Sequence, residues 1–225
     1  AAYSALKASR NVHDEIVVTS HFACADDLNN SATSQQIATF DNSLPRDSAQ
    51  AMPITSLANS AAILAWPEAQ RDWQRPGYML YGNSPFAEPQ ANADQLQPVM
   101  SFESAVISVR EIPAGDSVGY GANWTAQRQS HIATVAVGYG DGYPRHAPNG
   151  TPVLVNGVKC PLVGRVSMDM ITVDVTDLVN TRAKIGDRVI LWGPALPVNG
   201  VAAACNTIGY ELLTRMPDRV PRIYR

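Results

Sequence analysis

Two tyrosines sit between glycines: Gly119-Tyr120-Gly121 and, further on, Gly138-Tyr139-Gly140. A side chain flanked by bare backbone has little to pack against locally, so each tyrosine is either a turn residue or a chemical group. A phenol is a poor base at neutral pH. Bringing its pKa from about 10 to near 7 takes roughly 4 kcal/mol of differential stabilisation. A neighbouring cation and a preformed hydrogen bond are the means available. A second set of candidates lies earlier in the chain. Asn59-Ser60 opens a helix directly after a strand. That is either a plain cap or an anion site, where free N–H groups, a partial positive charge and the Ser60 hydroxyl converge. Arg75 follows, just before Gly77-Tyr78. Arginine only donates and keeps its charge, so it serves a ligand or a structural ion pair.

Other chemistries are poorly supported. "GYGDG" lacks the spacing of a dinucleotide loop, no Gly-Lys-Ser/Thr follows it, and no Gly-x-Ser-x-Gly occurs. The histidines are His13, His21, His131 and His146; none is four residues from another, and no cysteine or acidic cluster completes a metal site. His21, beside Asp26 and Asp27, reads as a hydrogen-bonded scaffold histidine. Net charge is -3 with no block of like charge, which points away from a nucleic-acid partner. No apolar run approaches the roughly 20 residues of a membrane helix. Cys24, Cys160 and Cys205 are odd in number and widely spaced, as expected of reduced thiols in a cytoplasmic protein.

The elements that must position these groups change character near Pro98. Before it, "EIVVTSHFA", "MPITSLAN" and "PGYMLYGNSP" read as strand stubs. The first two are followed by helical stretches, with Asn30 or Ser31 capping the first. This is a series of about three βα units over residues 1–95, with polar groups at the strands' carboxyl ends, as at a barrel mouth with a phosphate site. Residues 96–225 read as an antiparallel β domain. "FESAVISVREI" alternates, "HIATVAVGYG" is a buried run, and Asn156-Gly157 joins two apolar runs as a hairpin turn. "MDMITVDV" and "GDRVILWG" are further strands, and a short helical tail closes the chain.

The motifs "HFACAD", "SLANSAAILAWP", "RPGYMLYG", "AGDSVGYGANWTA", "VAVGYGDGYPR", "VGRVSMDMITVDVTD" and "TIGYELLTR" occur in order with the spacing of bacterial alanine racemases, from about residue 15 onward. The chain resembles the later part of that family. The resemblance implies the last part of an α/β TIM barrel followed by a β domain. It implies pyridoxal 5'-phosphate as cofactor, alanine as substrate, and a homodimer whose active sites are shared between subunits. Tyr120 resembles the family's catalytic base, which acts on Cα from the partner subunit, opposite the cofactor lysine. Arg75 resembles the residue that meets the cofactor's pyridine nitrogen. An arginine there keeps the ring nitrogen largely unprotonated and the ring a weaker electron sink, which favours racemisation over transamination. Ser60, the Gly77 and Tyr78 amides, and Tyr210 resemble the phosphate ligands, with Asn59 nearby. Ser56 stands where some members carry a histidine that supports the arginine. The Met168 amide resembles a holder of the substrate carboxylate, and Tyr139 an entry gate suited to a small substrate.

The chain also departs from the family pattern. Its only lysines are Lys7, Lys159 and Lys184, none in the context of the cofactor lysine. The histidine that supports the tyrosine and the arginine near the substrate carboxylate are expected upstream as well. The resemblance therefore implies a C-terminal portion that is inactive by itself. Two further readings are a racemase of broader specificity, acting on serine or other amino acids, and a non-catalytic dimerisation module.

Overall fold

The computed structural model describes residues 2–45, 52–178 and 182–224. It divides into two compact units, Ala1–Gln97 and Pro98–Arg225. No helix among the described residues is long and apolar enough to cross a membrane.

The first unit begins with a short exposed helix, α1 (Ala2–Lys7), which buries nothing and is not evident in the sequence pattern. Strands β1 (Val17–Thr19) and β2 (Ile54–Ser56) then pair in parallel, with Thr19 opposite Ser56. Each is followed by a helix: α2 (Ala32–Ser43) after β1 and α3 (Ser60–Ala65) after β2. The start of α2 is shaped by the Asn30 side chain, which accepts from the Ala32 N–H at 3.0 Å; Ser31 makes no capping bond. The helices bury Ile37, Phe40, Ala61, Ala62 and Leu64 against Phe22, Ala25 and Leu57. This is the expected βα rhythm, but its third repeat is abbreviated. Ser56 makes a single parallel bridge to Trp73, and Tyr78–Tyr81, expected as a strand, is a 3₁₀ turn. Pro76 lacks an N–H and Gly82 adopts a left-handed conformation (φ 74°), so the segment is closed at both ends before a ladder can extend. Val17, Met52, Trp73 and Leu80 remain exposed.

The second unit is a six-stranded antiparallel sheet: β3 (Phe102–Ile112), β6 (Ser130–Val135), β7 (Pro152–Val155), β8 (Val158–Pro161), β9 (Ile171–Asp174) and β10 (Arg188–Trp192), in the order β8-β7-β10-β3-β6-β9. Its two edges meet. Leu162 bridges Val173, and the Val163 N–H donates to the Thr172 carbonyl at 2.9 Å, so the sheet curls nearly closed. The β7–β8 turn uses Asn156 (φ 52°) and Gly157 (φ 81°), as the Asn-Gly pair predicts. Inside lie Val153, Val155, Val173, Val189, Leu191 and Trp192; Phe102 packs on Trp192 with ring centroids 4.6 Å apart. A small ribbon, β4 (Ser117–Val118) with β5 (Trp124–Thr125), lies over Ile112, Ile132 and Val163 through Val118 and Trp124. The Tyr120 turn is the tip of that ribbon. The helical tail is two helices, α4 (Val198–Ala204) and α5 (Gly209–Thr214), separated by Asn206 in the left-handed region (φ 53°).

Candidate functional site

The site residues expected from sequence fall into two groups, one on each unit. Ser60, Arg75, Gly77 and Tyr78 belong to the first; Tyr120, Tyr139, Met168 and Tyr210 belong to the second.

On the first unit, strand register converges on Arg75. Thr19 and Ser56 end two neighbouring parallel strands, and the Ser56–Trp73 bridge brings in the segment that carries Arg75. The Arg75 N–H donates to the Ala58 carbonyl at 2.9 Å, which fixes the backbone. Its guanidinium then donates from Nη1 to Ser56 Oγ at 2.6 Å and Thr19 Oγ1 at 3.0 Å. From Nη2 it donates to the Ser20 carbonyl at 2.6 Å and the Leu57 carbonyl at 3.2 Å. Every one of these acceptors is neutral. Arg75 makes no ion pair among the described residues, so the structural ion-pair alternative is not realised. Four N–H directions are engaged, and Nε–H has no acceptor among the described residues. Ser56 does hold the arginine. A histidine is also present: His21 Nδ1 lies 3.5 Å from Arg75 Nη2. The contact is consistent with the reading of His21 as a hydrogen-bonded scaffold histidine. Position in the chain hid it, because 54 residues separate the pair.

Ser60 is buried at the first position of α3, where the Asn59 side chain caps the helix by accepting from the Ala62 N–H at 3.1 Å. The Ser60 hydroxyl accepts from the Gly77 N–H at 3.0 Å and the Met79 N–H at 3.2 Å. Its own proton goes to no acceptor among the described residues. The Gly77 amide is thus committed to Ser60 in this structure. Tyr78, two residues before Leu80, is buried.

On the second unit, one strap, residues 164–168, carries both glycine-flanked tyrosines. A Cβ on Gly119 would lie 2.9 Å from the Arg165 nitrogen, and the Arg165 guanidinium lies against Gly121. Gly119 (φ 80°) and Gly121 (φ 75°) take conformations that favour glycine. Between them Tyr120 projects with 72% of its surface exposed. The second turn docks two residues further along the strap: the Tyr139 N–H donates to the Ser167 carbonyl at 3.0 Å, and the Gly140 N–H to the Met168 carbonyl at 2.8 Å. Arg219 bridges Asp141 and Asp169, tying turn, strap and tail together; those bonds raise its pKa, through Asp169 first and Asp141 next. Tyr139 and Met168 therefore share one exposed rim. The Met168 N–H has no acceptor among the described residues. Tyr210 lies in the first turn of α5, half exposed. Sequence reasoning missed the strap and Arg219; the only local signal was the run of glycines packed against it. Among the described residues no His/Cys/Asp/Glu group is arranged to hold a metal.

The first unit is an abbreviated α/β barrel segment that presents a cation to neutral acceptors, and the second is a curled β domain; comparison with known proteins identifies the family. The chain matches the family model for the alanine racemase C-terminal domain over residues 99–224 and that for the alanine racemase N-terminal domain over residues 1–85. It is 52% identical to an alanine racemase of Stutzerimonas stutzeri, covering 93% of this chain and 57% of that protein. It is 53% identical to the biosynthetic alanine racemase of Pseudomonas aeruginosa, again covering 93% of this chain and 57% of the relative. The crystal structure of a biosynthetic alanine racemase from Pseudomonas aeruginosa superposes with a TM-score of 0.89 at 49% identity, covering 99% of this chain and 60% of that one. The Bartonella henselae alanine racemase, solved with covalently bound pyridoxal phosphate, superposes with a TM-score of 0.83 at 37% identity, over 93% and 56% of the two chains. The chain belongs to the alanine racemase family. It spans about 56% to 60% of the length of these relatives.

Proposed function

We propose that these 225 residues form the cofactor-cradling and second-base part of an alanine racemase that interconverts L- and D-alanine, the D-isomer serving cell-wall peptidoglycan. The observation that carries the reading is Arg75: a half-buried guanidinium held by four neutral acceptors, with one donor unspent among the described residues. Such a group offers a pyridine nitrogen a hydrogen bond without offering it a proton. The Ser60 hydroxyl, accepting twice and keeping its proton, fits a phosphate oxygen. The donor set therefore suits pyridoxal phosphate, which, when bound, supplies the electron sink that acidifies an amino acid's Cα–H.

The remaining residues have defined work in this reading. Tyr120 removes or returns the proton on one face of Cα. Its high exposure suits a group presented to a partner subunit's site in a homodimer. The free Met168 N–H receives the substrate carboxylate, and Tyr139 on the same rim limits access to small side chains. The Tyr78 amide joins Ser60 at the phosphate. His21 Nδ1, 3.5 Å from Arg75 Nη2, is a further group beside the guanidinium. None of Lys7, Lys159 and Lys184 has the context of the opposite base, so the reading takes that lysine from outside these residues, and the 225 residues alone do not racemise.

The test is Tyr120→Phe in the full-length protein. Loss of one positioned base lowers alanine racemisation by about 10²- to 10⁴-fold. Unchanged turnover overturns the assignment. Turnover of serine at a rate comparable to alanine favours the broader racemase.

A further inference from the structure

We propose that Thr19 is a positioning residue for Arg75, fixing which of its N–H groups is left for the cofactor. The inference rests on the proposed meeting of Arg75 with the pyridine nitrogen and goes beyond it, since it concerns a residue that touches neither cofactor nor substrate. Thr19 stands directly opposite Ser56 in the parallel β1–β2 pair. Its hydroxyl donates to the Ser56 carbonyl at 3.0 Å, so toward Arg75 it acts as an acceptor, at 3.0 Å from Nη1. Ser56 Oγ takes the other Nη1 hydrogen at 2.6 Å. Two hydroxyls on adjacent strands thus consume one end of the fork, and the Ser20 and Leu57 carbonyls consume the other. Because the guanidinium is planar and rigid, pinning both Nη atoms sets the direction of Nε–H.

Without Thr19 one Nη1 hydrogen is unspent. The fork is then free to rotate toward the ligand and present Nη1 instead of Nε. Ser56 is buried and Thr19 is exposed, so water competes for the Thr19 bond more than for the Ser56 bond. The effect of losing Thr19 is therefore severalfold, not complete.

The experiment uses the full-length protein loaded with pyridoxal phosphate carrying ¹⁵N in its ring. Ring-nitrogen chemical shift, cofactor dissociation constant and thermal midpoint are compared for wild type, Thr19→Val, Thr19→Ala and Thr19→Ser. The expected result is a displaced ring-nitrogen resonance and about fivefold weaker cofactor binding in the valine and alanine variants, with both restored in the serine variant. A merely structural role moves the thermal midpoint and leaves the resonance in place, which overturns the proposal. So does a valine or alanine variant with wild-type resonance and affinity. If Thr19→Val does not fold, Thr19→Ala decides. A wild-type protein that binds no cofactor overturns the reading of Arg75 and this proposal with it, whereas a normal wild type with unaffected variants overturns this proposal alone.

Discussion

Gly138→Ala probes the strap that holds the Tyr139 rim. Gly138 has φ -150°, ordinary extended backbone, so alanine meets no conformational penalty there. The obstacle is steric. A Cβ at this position would lie 2.3 Å from both the Ser167 and Met168 carbonyl oxygens and 2.4 Å from the Met168 carbonyl carbon. All three are backbone atoms, which cannot swing aside as a side-chain tip does. Relieving the overlap pushes the turn off the strap and stretches the Tyr139 and Gly140 N–H bonds to it. Overpacking costs about 1–3 kcal/mol. Two weakened hydrogen bonds add about 1 kcal/mol each. The expected destabilisation of the second unit is therefore about 3–5 kcal/mol. Gly200 supplies the internal control. It lies inside α4 with nothing within 4 Å of an added Cβ, so Gly200→Ala should stabilise by about 0.5–1 kcal/mol. Urea unfolding followed by tryptophan fluorescence measures both. A Gly138→Ala protein within about 1 kcal/mol of wild type, alongside the expected gain at Gly200, would refute the steric argument.

Three more outcomes are expected. Asp72 accepts from the Thr55 N–H and hydroxyl at 2.8 and 3.0 Å, which lowers its pKa, so its contribution to stability is present above the unfolded value of 3.8 and is lost as pH falls below it. Asp72→Asn should flatten the acid limb of an unfolding-midpoint profile run from about pH 6 to about pH 2.5, and an unchanged slope counts against the hydrogen bonds. Burial pushes the Cys160 thiol up to about 11, leaving about one thiolate in a thousand at pH 8. Cys24, only partly buried, should alkylate first, as peptide mass mapping over time will reveal. The buried Tyr143 hydroxyl, beside Trp192, has no hydrogen-bond partner among the described residues, and burial raises its pKa. Tyr143→Phe therefore gives up no bond and should match or exceed wild-type thermal stability, whereas a loss of more than about 1 kcal/mol would reveal a hidden partner.

Much of the fold was legible because it depends on short periods. Alternation over Phe102–Ile112, the Asn-Gly turn at 156–157 and the two βα steps each follow from side chains and backbone within a few residues. Where local cues ran out, the readings failed in identifiable ways. Tyr78–Tyr81 has strand-like composition, but Pro76 and Gly82 deny it a ladder. The tail broke into two helices at Asn206, whose left-handed backbone is a local option that only its surroundings select.

For the site, residue types and spacing alone singled out Arg75, Ser60 and the two glycine-flanked tyrosines as chemically unusual, because charge, donor capacity and bare flanking backbone are properties of the residues themselves. Tertiary structure decided what those residues touch. Arg75 finds Thr19 across 56 positions and Ser56 across 19, and none of its partners among the described residues is a carboxylate. Likewise, Tyr120 and Tyr139 belong together only because one strap packs under both turns. Such contacts depend on strand register and loop closure over long separations, where the free energy is set by the whole packed unit and not by any window of the chain.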